Sequence, residues 1–312
     1  MKLKYKHQRF QEDAARAVTD CFSGQPHYDG ASNFLVDQGV VDGKQDNNLF
    51  HTEGFANAPL EPGVPLRDNI RRVQTSFGLK PIDQLEGDGR TLTIEMETGT
   101  GKTFTYIKTM FELNKLYGWT KFIVVVPSIA IREGVLSSFD SMSEYFAQEY
   151  GKRIQYFVYN SKQLSKIDSF AADAGIHVMI INTQAFNTSL NEDKNKEGRA
   201  GDAAARIIFS RRDEFRSRRP IDILAATHPI MIIDEPQSVL GANKANQTRK
   251  GLKLFNPLFK LLYSATHRKD DIANMVYRLD AMDAYNKHLV KKIEVVGVEQ
   301  KGTTATNGYV YL

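Results

Sequence analysis

Short apolar runs alternate with longer segments of helical periodicity over most of the chain. Six of these runs predict strands, several of them apolar on both faces: 91–96, 121–126, 154–159, 177–181, 229–233 and 260–263. Helical spacing marks residues 102–117, 129–150 and 246–259, and a further helical stretch follows Arg268. Strands that are apolar on both faces are typical of a parallel sheet covered by helices. The alternation therefore predicts an α/β domain in which helices cover both faces of a parallel sheet.

The pattern is different before residue 91. Apolar residues at helical spacing predict a helix over residues 6–22. Residues from about 23 to 65 are rich in Gly, Asn, Asp and Pro, and only short apolar runs interrupt them, which indicates irregular structure with a hairpin. A short helix is predicted at 68–76. We therefore expect an irregular N-terminal insertion at about residues 23–90, ahead of the sheet.

Composition and charge narrow the class of protein. The chain has 312 residues, of which 41% are hydrophobic and 25% charged, as in globular proteins. No apolar run approaches the roughly 18 residues that span a membrane, so we expect no membrane association. The net charge of +4 is compatible with a polyanionic partner but does not require one. The single cysteine, Cys21, cannot form an internal disulfide and fits a reducing cytoplasm, where we expect the protein to be.

A glycine-rich segment follows the first strand of the predicted sheet and begins the next helix. Its residues are Thr98, Gly99, Thr100, Gly101, Lys102 and Thr103. In this context the segment predicts a P-loop, whose backbone amides and helix N-terminus hold phosphates. We expect Lys102 to contact the β- and γ-phosphates of a nucleoside triphosphate and Thr103 to bind Mg²⁺. Met96 stands where the general pattern has glycine, so the loop is a variant, and the alternative is a glycine-rich turn that binds nothing.

Two further motifs follow later strands. Asp234 and Glu235 come at the end of an apolar strand, where such a pair can bind Mg²⁺ through Asp234 and orient or deprotonate water through Glu235. The alternative is an ordinary acidic turn. Ser264 and Thr266 flank Ala265 after the strand at 260–263, and a hydroxyl pair in that position most often only caps the next turn.

The order GTGKT, DEPQ and SAT resembles the first RecA-like domain of superfamily 2 helicases and translocases. In finer detail METGTGKT, VVPSIAIREGV and IIDEPQS are similar to the restriction subunit of Type III restriction-modification enzymes, with DEPQ as the discriminating feature. The resemblance extends over about residues 5–312. It implies a P-loop NTPase that uses ATP and Mg²⁺, with double-stranded DNA and a DNA methyltransferase (modification) subunit as partners.

The resemblance also implies roles for individual residues at the nucleotide site. Gln11 is a candidate for reading adenine. Lys102 and Thr103 hold phosphate and metal, and Asp234 and Glu235 carry out hydrolysis. Three residues would couple the nucleotide state to domain closure: Gln237, Ser264 and Thr266.

Candidate DNA contacts lie elsewhere in the sequence. The resemblance makes Arg132 and Thr183 candidates for contacting a DNA strand through its phosphates, independently of base sequence. The alternative for Arg132 is a solvated arginine at the start of a helix. A basic cluster at 211–219 could grip phosphates, but such a run is more often a solvated face.

We expect residues 1–285 to form the first RecA-like motor domain and 286–312 to connect to a second one. In superfamily 2 motors ATP is hydrolysed between two such domains, and the second supplies an arginine finger. After Thr266 only about 45 residues follow, fewer than a domain needs, so we expect the amino-terminal portion of a larger protein. Three hypotheses stay open: a DNA translocase and restriction endonuclease, a repair or remodelling helicase, and a nucleotide- or DNA-binding module without turnover.

Overall fold

The computed structural model of the chain describes residues 5–29, 34–37, 40–41, 44–45, 51–186, 207–211, 218–241 and 247–291. Its strands, numbered along the chain, are β1 (Phe34–Asp37), β2 (Val40–Val41), β3 (Lys44–Gln45), β4 (His51–Phe55), β5 (Thr91–Met96), β6 (Lys121–Val126), β7 (Ile154–Val158), β8 (Ile176–Asn182), β9 (Ile230–Asp234), β10 (Lys260–Ser264) and β11 (Met275–Leu279). Its α-helices are α1 (Arg9–Asp20), α2 (Leu66–Ser76), α3 (Lys102–Tyr117), α4 (Ile129–Tyr150), α5 (Ser165–Ala172), α6 (Pro220–Ala226), α7 (Pro236–Val239), α8 (Gln247–Leu254) and α9 (Ala281–Asn286).

A seven-stranded sheet lies at the centre, in the order β11-β5-β10-β9-β6-β8-β7. Every neighbouring pair in it is parallel, so all seven carboxyl ends lie along one edge of the sheet. Five of the predicted features meet at that edge. The P-loop follows β5, α4 follows β6 and Thr183 follows β8. The acidic pair lies at the end of β9 and Ser264 at the end of β10.

Helices cover both faces of the sheet, as the sequence predicts. On β6 the side chains of Phe122 and Val124 pack in one hydrophobic cluster together with residues of α1, α3 and α4. The alternate residues Ile123 and Val125 pack in a second cluster with residues of α5, α6 and α8. All six residues of β6 are buried, which explains why its sequence is apolar without alternation. The predicted α/β class with a parallel sheet is therefore confirmed.

The N-terminal insertion contains more regular structure than its composition indicates. Strands β1 and β4 pair antiparallel and β2 pairs with β3, which confirms the predicted hairpin. Asn57, after β4, is buried and ties this segment to the sheet. Its side-chain amide donates to the carbonyls of Lys121 and His228, and its oxygen accepts from the backbone amides of Thr120 and Lys121, at 2.7–3.0 Å.

Two of the predicted elements are wrong in part. The stretch after Arg268 contains a one-turn 3-10 helix (Lys269–Asp271), then the strand β11, and only then α9, because β11 pairs with the otherwise open edge of β5. The predicted helix at 246–259 ends at Leu254 in α8, where Asn256 adopts a left-handed conformation before Pro257. None of the helices in the described residues is long and apolar enough to cross a lipid bilayer.

Candidate nucleotide-binding site

The P-loop lies between β5 and α3, where the sequence predicts it. Gly99 and Gly101 have φ values of 80° and 87°, in the left-handed region that favours glycine. Met96 is fully buried opposite Leu279 of β11, so the residue that departs from the general P-loop pattern belongs to the core. Thr100 is held by its hydroxyl, which donates to the Glu97 carbonyl at 2.6 Å. The turn is therefore fixed before any ligand binds.

Gln11 reaches the P-loop from α1. Its side-chain amide donates to the Thr100 carbonyl at 3.0 Å, and a Cβ at position 101 would collide with that amide. A side chain at 101 would displace the Gln11 amide from the Thr100 carbonyl, and the left-handed backbone conformation is what requires glycine there. The structure thus places the predicted adenine-reading residue against the phosphate-binding loop, so α1 and the loop form one unit.

The P-loop lysine meets the acidic pair across the sheet edge. Lys102 Nζ lies 3.1 Å from Glu235 Oε1, and both side chains are largely buried. Glu235 Oε2 accepts hydrogen bonds from Gln237 Nε2 at 2.6 Å and from Ser264 Oγ at 2.8 Å. Four of the predicted residues from three separate motifs therefore form one connected cluster.

Ser264 links this cluster to Thr266. Besides Glu235, its hydroxyl lies within hydrogen-bond distance of Gln237 Oε1 (3.0 Å) and the Thr266 carbonyl (2.8 Å), and it accepts from the Thr266 amide at 3.1 Å. A hydroxyl has one proton to donate, so these three acceptors are alternatives. The arrangement permits the bond to change partner when the charge around Glu235 changes.

The two carboxyl groups have opposite pKa shifts. Burial, and then the neighbouring Glu235 carboxylate, raise the pKa of Asp234 to about 6, against the opposing effect of the Lys102 ammonium. Burial also acts to raise the pKa of Glu235, but the hydrogen bonds from Ser264 and Gln237 and the Lys102 charge outweigh it and hold that pKa below its usual value. Glu235 is therefore the more acidic member of the pair, and as the pH rises it ionises before Asp234.

The backbone of Glu235 is unusual as well. The residue has φ 52° and ψ 61°, a left-handed conformation that costs a non-glycine residue about 1–2 kcal/mol. Its amide donates to the Tyr263 carbonyl at 2.9 Å, and Pro236 begins α7 immediately after it. A strained backbone of this kind persists only where many surrounding contacts hold it in place, which is common at functional sites.

The residues next to the P-loop fit a divalent cation. Asp234 Oδ1 is buried and has no hydrogen-bond partner among the described residues. The oxygen of Asp234 and the hydroxyl of Thr103, in the first turn of α3, are hard ligands of the kind Mg²⁺ prefers. Within the described ranges no group of three or more His, Cys, Asp or Glu side chains could hold a metal by itself. The two protein oxygens therefore suit a cation whose other ligands include phosphate oxygens of a bound nucleotide.

The candidate DNA contacts lie along the same sheet edge but engage protein groups. Arg132, in the first turn of α4, has its Nη2 2.8 Å from the Glu133 carboxylate. The Thr183 hydroxyl, after β8, donates to the Pro127 carbonyl at 3.4 Å. Of the basic cluster at 211–219, residues 212–217 lie outside the described residues, and Arg219 pairs with Asp222 at 2.6 Å. To contact a DNA strand, the Arg132 and Thr183 side chains would have to exchange these protein partners for phosphate oxygens.

One residue of the site has no role in the sequence analysis. Tyr106 lies on α3 one turn after Thr103 and is fully buried, and within the described residues its hydroxyl makes no hydrogen bond of normal geometry, although the Thr103 side chain is close to it. Its spacing of three residues from Thr103 on a helix that begins at the P-loop is the signal that could have identified it.

Two solved structures match the chain at low similarity. One is a nuclease-deletion mutant of the Type ISP restriction-modification enzyme LlaGI in complex with a DNA substrate mimic, with 16% identity, a TM-score of 0.42, and coverage of 72% of this chain and 18% of that one. The other is the Sulfolobus solfataricus SWI2/SNF2 ATPase core in complex with double-stranded DNA, with 13% identity, a TM-score of 0.34, and coverage of 68% and 33%. At these values both are distant neighbours.

Sequence comparison is far more specific. The chain is 33% identical over 244 residues to the EcoP15I Res subunit of Escherichia coli and 32% identical over 238 residues to the EcoPI Res subunit of Escherichia phage P1, with 72% of this chain and 23% of each relative covered. It therefore spans about a quarter of the length of these curated relatives. The family model of the Type III restriction enzyme, res subunit, matches residues 67–269, which include the P-loop and the acidic pair. Because this match covers well over half of the sequence, the chain belongs to the res subunit family of Type III restriction enzymes.

Proposed function

We propose that residues 1–285 are the ATP-binding motor domain of an ATP-dependent DNA translocase, the restriction endonuclease subunit of a Type III system. The observation that carries this proposal is the cluster of Lys102, Glu235 and Ser264 at the carboxyl edge of the parallel sheet, directly beside a P-loop. Membership of the family supports the same assignment. Residues 286–312 would connect this domain to a second one, although 292–312 lie outside the described residues.

The proposed roles follow from the positions of the side chains. The backbone of 98–103 and the Lys102 ammonium would bind the phosphates, because an αL turn at a helix N-terminus directs amides at an anion. Gln11 would contact adenine from its place against Thr100. Glu235, ionised and hydrogen-bonded, would orient the attacking water.

Mg²⁺ would be held by Thr103 and Asp234 together with phosphate oxygens. When bound, it neutralises the charge that develops on the transferred phosphoryl group. The buried Asp234 oxygen without a partner supports this assignment, since such an atom otherwise costs stability.

The state of the nucleotide would be coupled to the rest of the motor through three residues: Gln237, Ser264 and Thr266. Their support is the shared hydroxyl proton of Ser264, which can serve Glu235, Gln237 or the Thr266 carbonyl. When Lys102 binds a phosphate and its ion pair with Glu235 breaks, the relative strength of the three possible Ser264 hydrogen bonds changes. The change would then be transmitted to the segment after β10.

Double-stranded DNA is the proposed polymer partner, with Arg132 and Thr183 as candidate contacts on its strand. A DNA methyltransferase subunit is the proposed protein partner. These two proposals rest on the resemblance to Type III systems and on relatives described as restriction-modification enzymes. Co-purification of the full-length protein with its modification subunit would test the second.

A second candidate function, nucleotide binding without turnover by the isolated chain, is favoured by one observation. Glu235 is engaged by three side chains of its own domain, Lys102, Gln237 and Ser264. A water-activating residue held in this way needs rearrangement before it acts. Under this hypothesis the chain binds nucleotide, and hydrolysis requires a second domain.

The decisive experiment replaces the P-loop lysine. We expect Lys102→Ala to abolish measurable binding of Mg-ATP, because it removes the positive charge that faces the phosphates. Isothermal titration calorimetry on the 312-residue chain measures this directly.

The matched control is Lys115→Ala, which removes an exposed lysine from the same helix, α3. It should bind Mg-ATP like the wild type. Unchanged affinity in Lys102→Ala would refute the assignment of the P-loop.

A further inference from the structure

Tyr106 is a buried polar residue whose hydroxyl serves no evident structural purpose. It is fully buried on α3, and its ring packs edge-on against that of Tyr263, with centroids 5.7 Å apart. Its hydroxyl makes no hydrogen bond of normal geometry within the described residues, and the Thr103 side chain is the polar group close enough to interact with it. Phenylalanine would fill the same space without burying an unsatisfied donor, so the hydroxyl calls for an explanation.

Tyr263 offers a direct contrast in the same layer. It is also fully buried, but its hydroxyl is 3.1 Å from Thr109 Oγ1, so it is partnered within the protein. The two tyrosines therefore share burial and ring packing and differ in the satisfaction of the hydroxyl group. A purely structural role accounts for Tyr263 and not for Tyr106.

The sheet register places Tyr106 beside Asp234. Tyr263 and Asp234 are paired residues of β10 and β9, and paired residues of parallel strands direct their side chains to the same face. Tyr106 covers Tyr263 on that face, and Thr103 lies one helical turn before it. Asp234 Oδ1 is likewise buried without a hydrogen-bond partner in the described part of the chain. A buried donor without a hydrogen bond of normal geometry and a buried acceptor without a partner thus lie next to the Thr103 side chain.

The hydroxyl is suited to donate rather than to ionise. A tyrosine hydroxyl, with an ordinary pKa of about 10, keeps its proton throughout the neutral range and can donate it to an oxygen.

We propose that Tyr106 is a positioning residue for the metal, whose hydroxyl donates a hydrogen bond into the hydration shell of the divalent cation held by Thr103 and Asp234. The proposal rests on the function proposed above. It predicts that Tyr106 contributes to the binding of the metal–nucleotide complex and not to the binding of the nucleotide alone. Groups that support metal ligands in this way typically contribute about 10- to 100-fold in metal affinity.

The test removes only the hydroxyl, in Tyr106→Phe, and uses the 312-residue chain. A fluorescent ADP analogue reports nucleotide affinity in EDTA and in Mn²⁺, and electron paramagnetic resonance of free Mn²⁺ gives the metal affinity at saturating nucleotide. We expect metal affinity to fall about 10-fold. Affinity in EDTA should be unchanged, and the melting temperature should be equal to that of the wild type or higher.

The matched control is Tyr263→Phe, which removes the partnered hydroxyl. It should lower the melting temperature and leave the metal dependence as in the wild type. The inference is overturned if Tyr106→Phe retains wild-type Mn²⁺ affinity, or if it weakens nucleotide binding equally with and without metal. Failure of the wild type to bind the nucleotide under either condition would instead overturn the proposed function, and the inference with it.

Discussion

The Lys102–Glu235 ion pair occupies the position where the P-loop lysine is expected to meet a phosphate. At 3.1 Å, and with both side chains largely buried, the carboxylate is a competitor for the charge that binds nucleotide. Glu235 in turn depends on this ammonium, along with Ser264 and Gln237, for its low pKa. We therefore expect nucleotide binding to exchange one anionic partner of Lys102, the Glu235 carboxylate, for another, a phosphate.

Neutralising Glu235 should expose this competition. We expect Glu235→Gln to bind ADP about three- to ten-fold more tightly in EDTA, because a partly buried ion pair no longer has to be broken. The same variant should lose hydrolysis, since it lacks the base. Calorimetric titration with ADP measures the first effect.

The control for this experiment is a similar pair outside the site. Lys108, also on α3, has its Nζ 2.8 Å from Glu149 Oε1, so Glu149→Gln removes a comparable carboxylate. Its affinity for ADP should equal that of the wild type. Weaker binding in Glu235→Gln would show that the carboxylate assists nucleotide binding instead of competing with it.

At the scale of secondary-structure elements, the insertion before the P-loop is joined to the sheet by a few buried groups. Asn57 satisfies backbone groups at the start of β6 and just before β9, at the edge opposite the P-loop. Trp119 adds a bond from Nε1 to the Ala58 carbonyl at 3.1 Å. The segment is thus part of the folding unit rather than an appended loop.

We expect Asn57→Ala to lower the free energy of unfolding by about 2–4 kcal/mol, because it leaves several buried amides and carbonyls without partners. Urea denaturation followed by circular dichroism measures the loss. Asn160→Ala, which removes an exposed asparagine that accepts one local bond from the Lys162 amide, is the control and should change stability little. Equal stability of the two variants would mean that the insertion folds independently of the sheet.

Prediction of the elements succeeded where the local pattern was strong. The strands at β5 and β6 and the helices α3 and α4 have the predicted bounds, since continuous apolar runs and helical spacing are local properties. The strand β11 was predicted as helix because its position depends on the open edge of β5. The helices α5 and α6, each of eight residues or fewer, were not predicted.

At the scale of the whole molecule, the described residues would supply one wall of the proposed nucleotide site. The P-loop, the acidic pair and Ser264 all belong to a single sheet edge. In the superfamily that the chain resembles, the opposite wall comes from a second domain that stabilises charge on the transferred phosphoryl group. Binding and turnover should therefore be separable in this chain.

We expect the 312-residue chain to bind Mg-ATP weakly and to hydrolyse it well below the roughly 1 s⁻¹ at the low end of typical enzymes, with little stimulation by DNA. Phosphate release with and without linear duplex DNA measures this. Glu235→Gln provides the background rate. Rapid, DNA-stimulated release would show that one domain is sufficient for turnover.

The sequence by itself determined the class of the fold and supplied the local motifs of the proposed site. Glycines at 99 and 101, Lys102 before a helix, and an acidic pair after an apolar strand are local features, fixed by backbone conformation and periodicity. Only the tertiary structure decided which of these groups meet: Lys102 with Glu235, Gln11 with Thr100, and Tyr106 beside Asp234. The physical reason is that such contacts depend on the order and register of strands, which residues distant in the chain set jointly by packing.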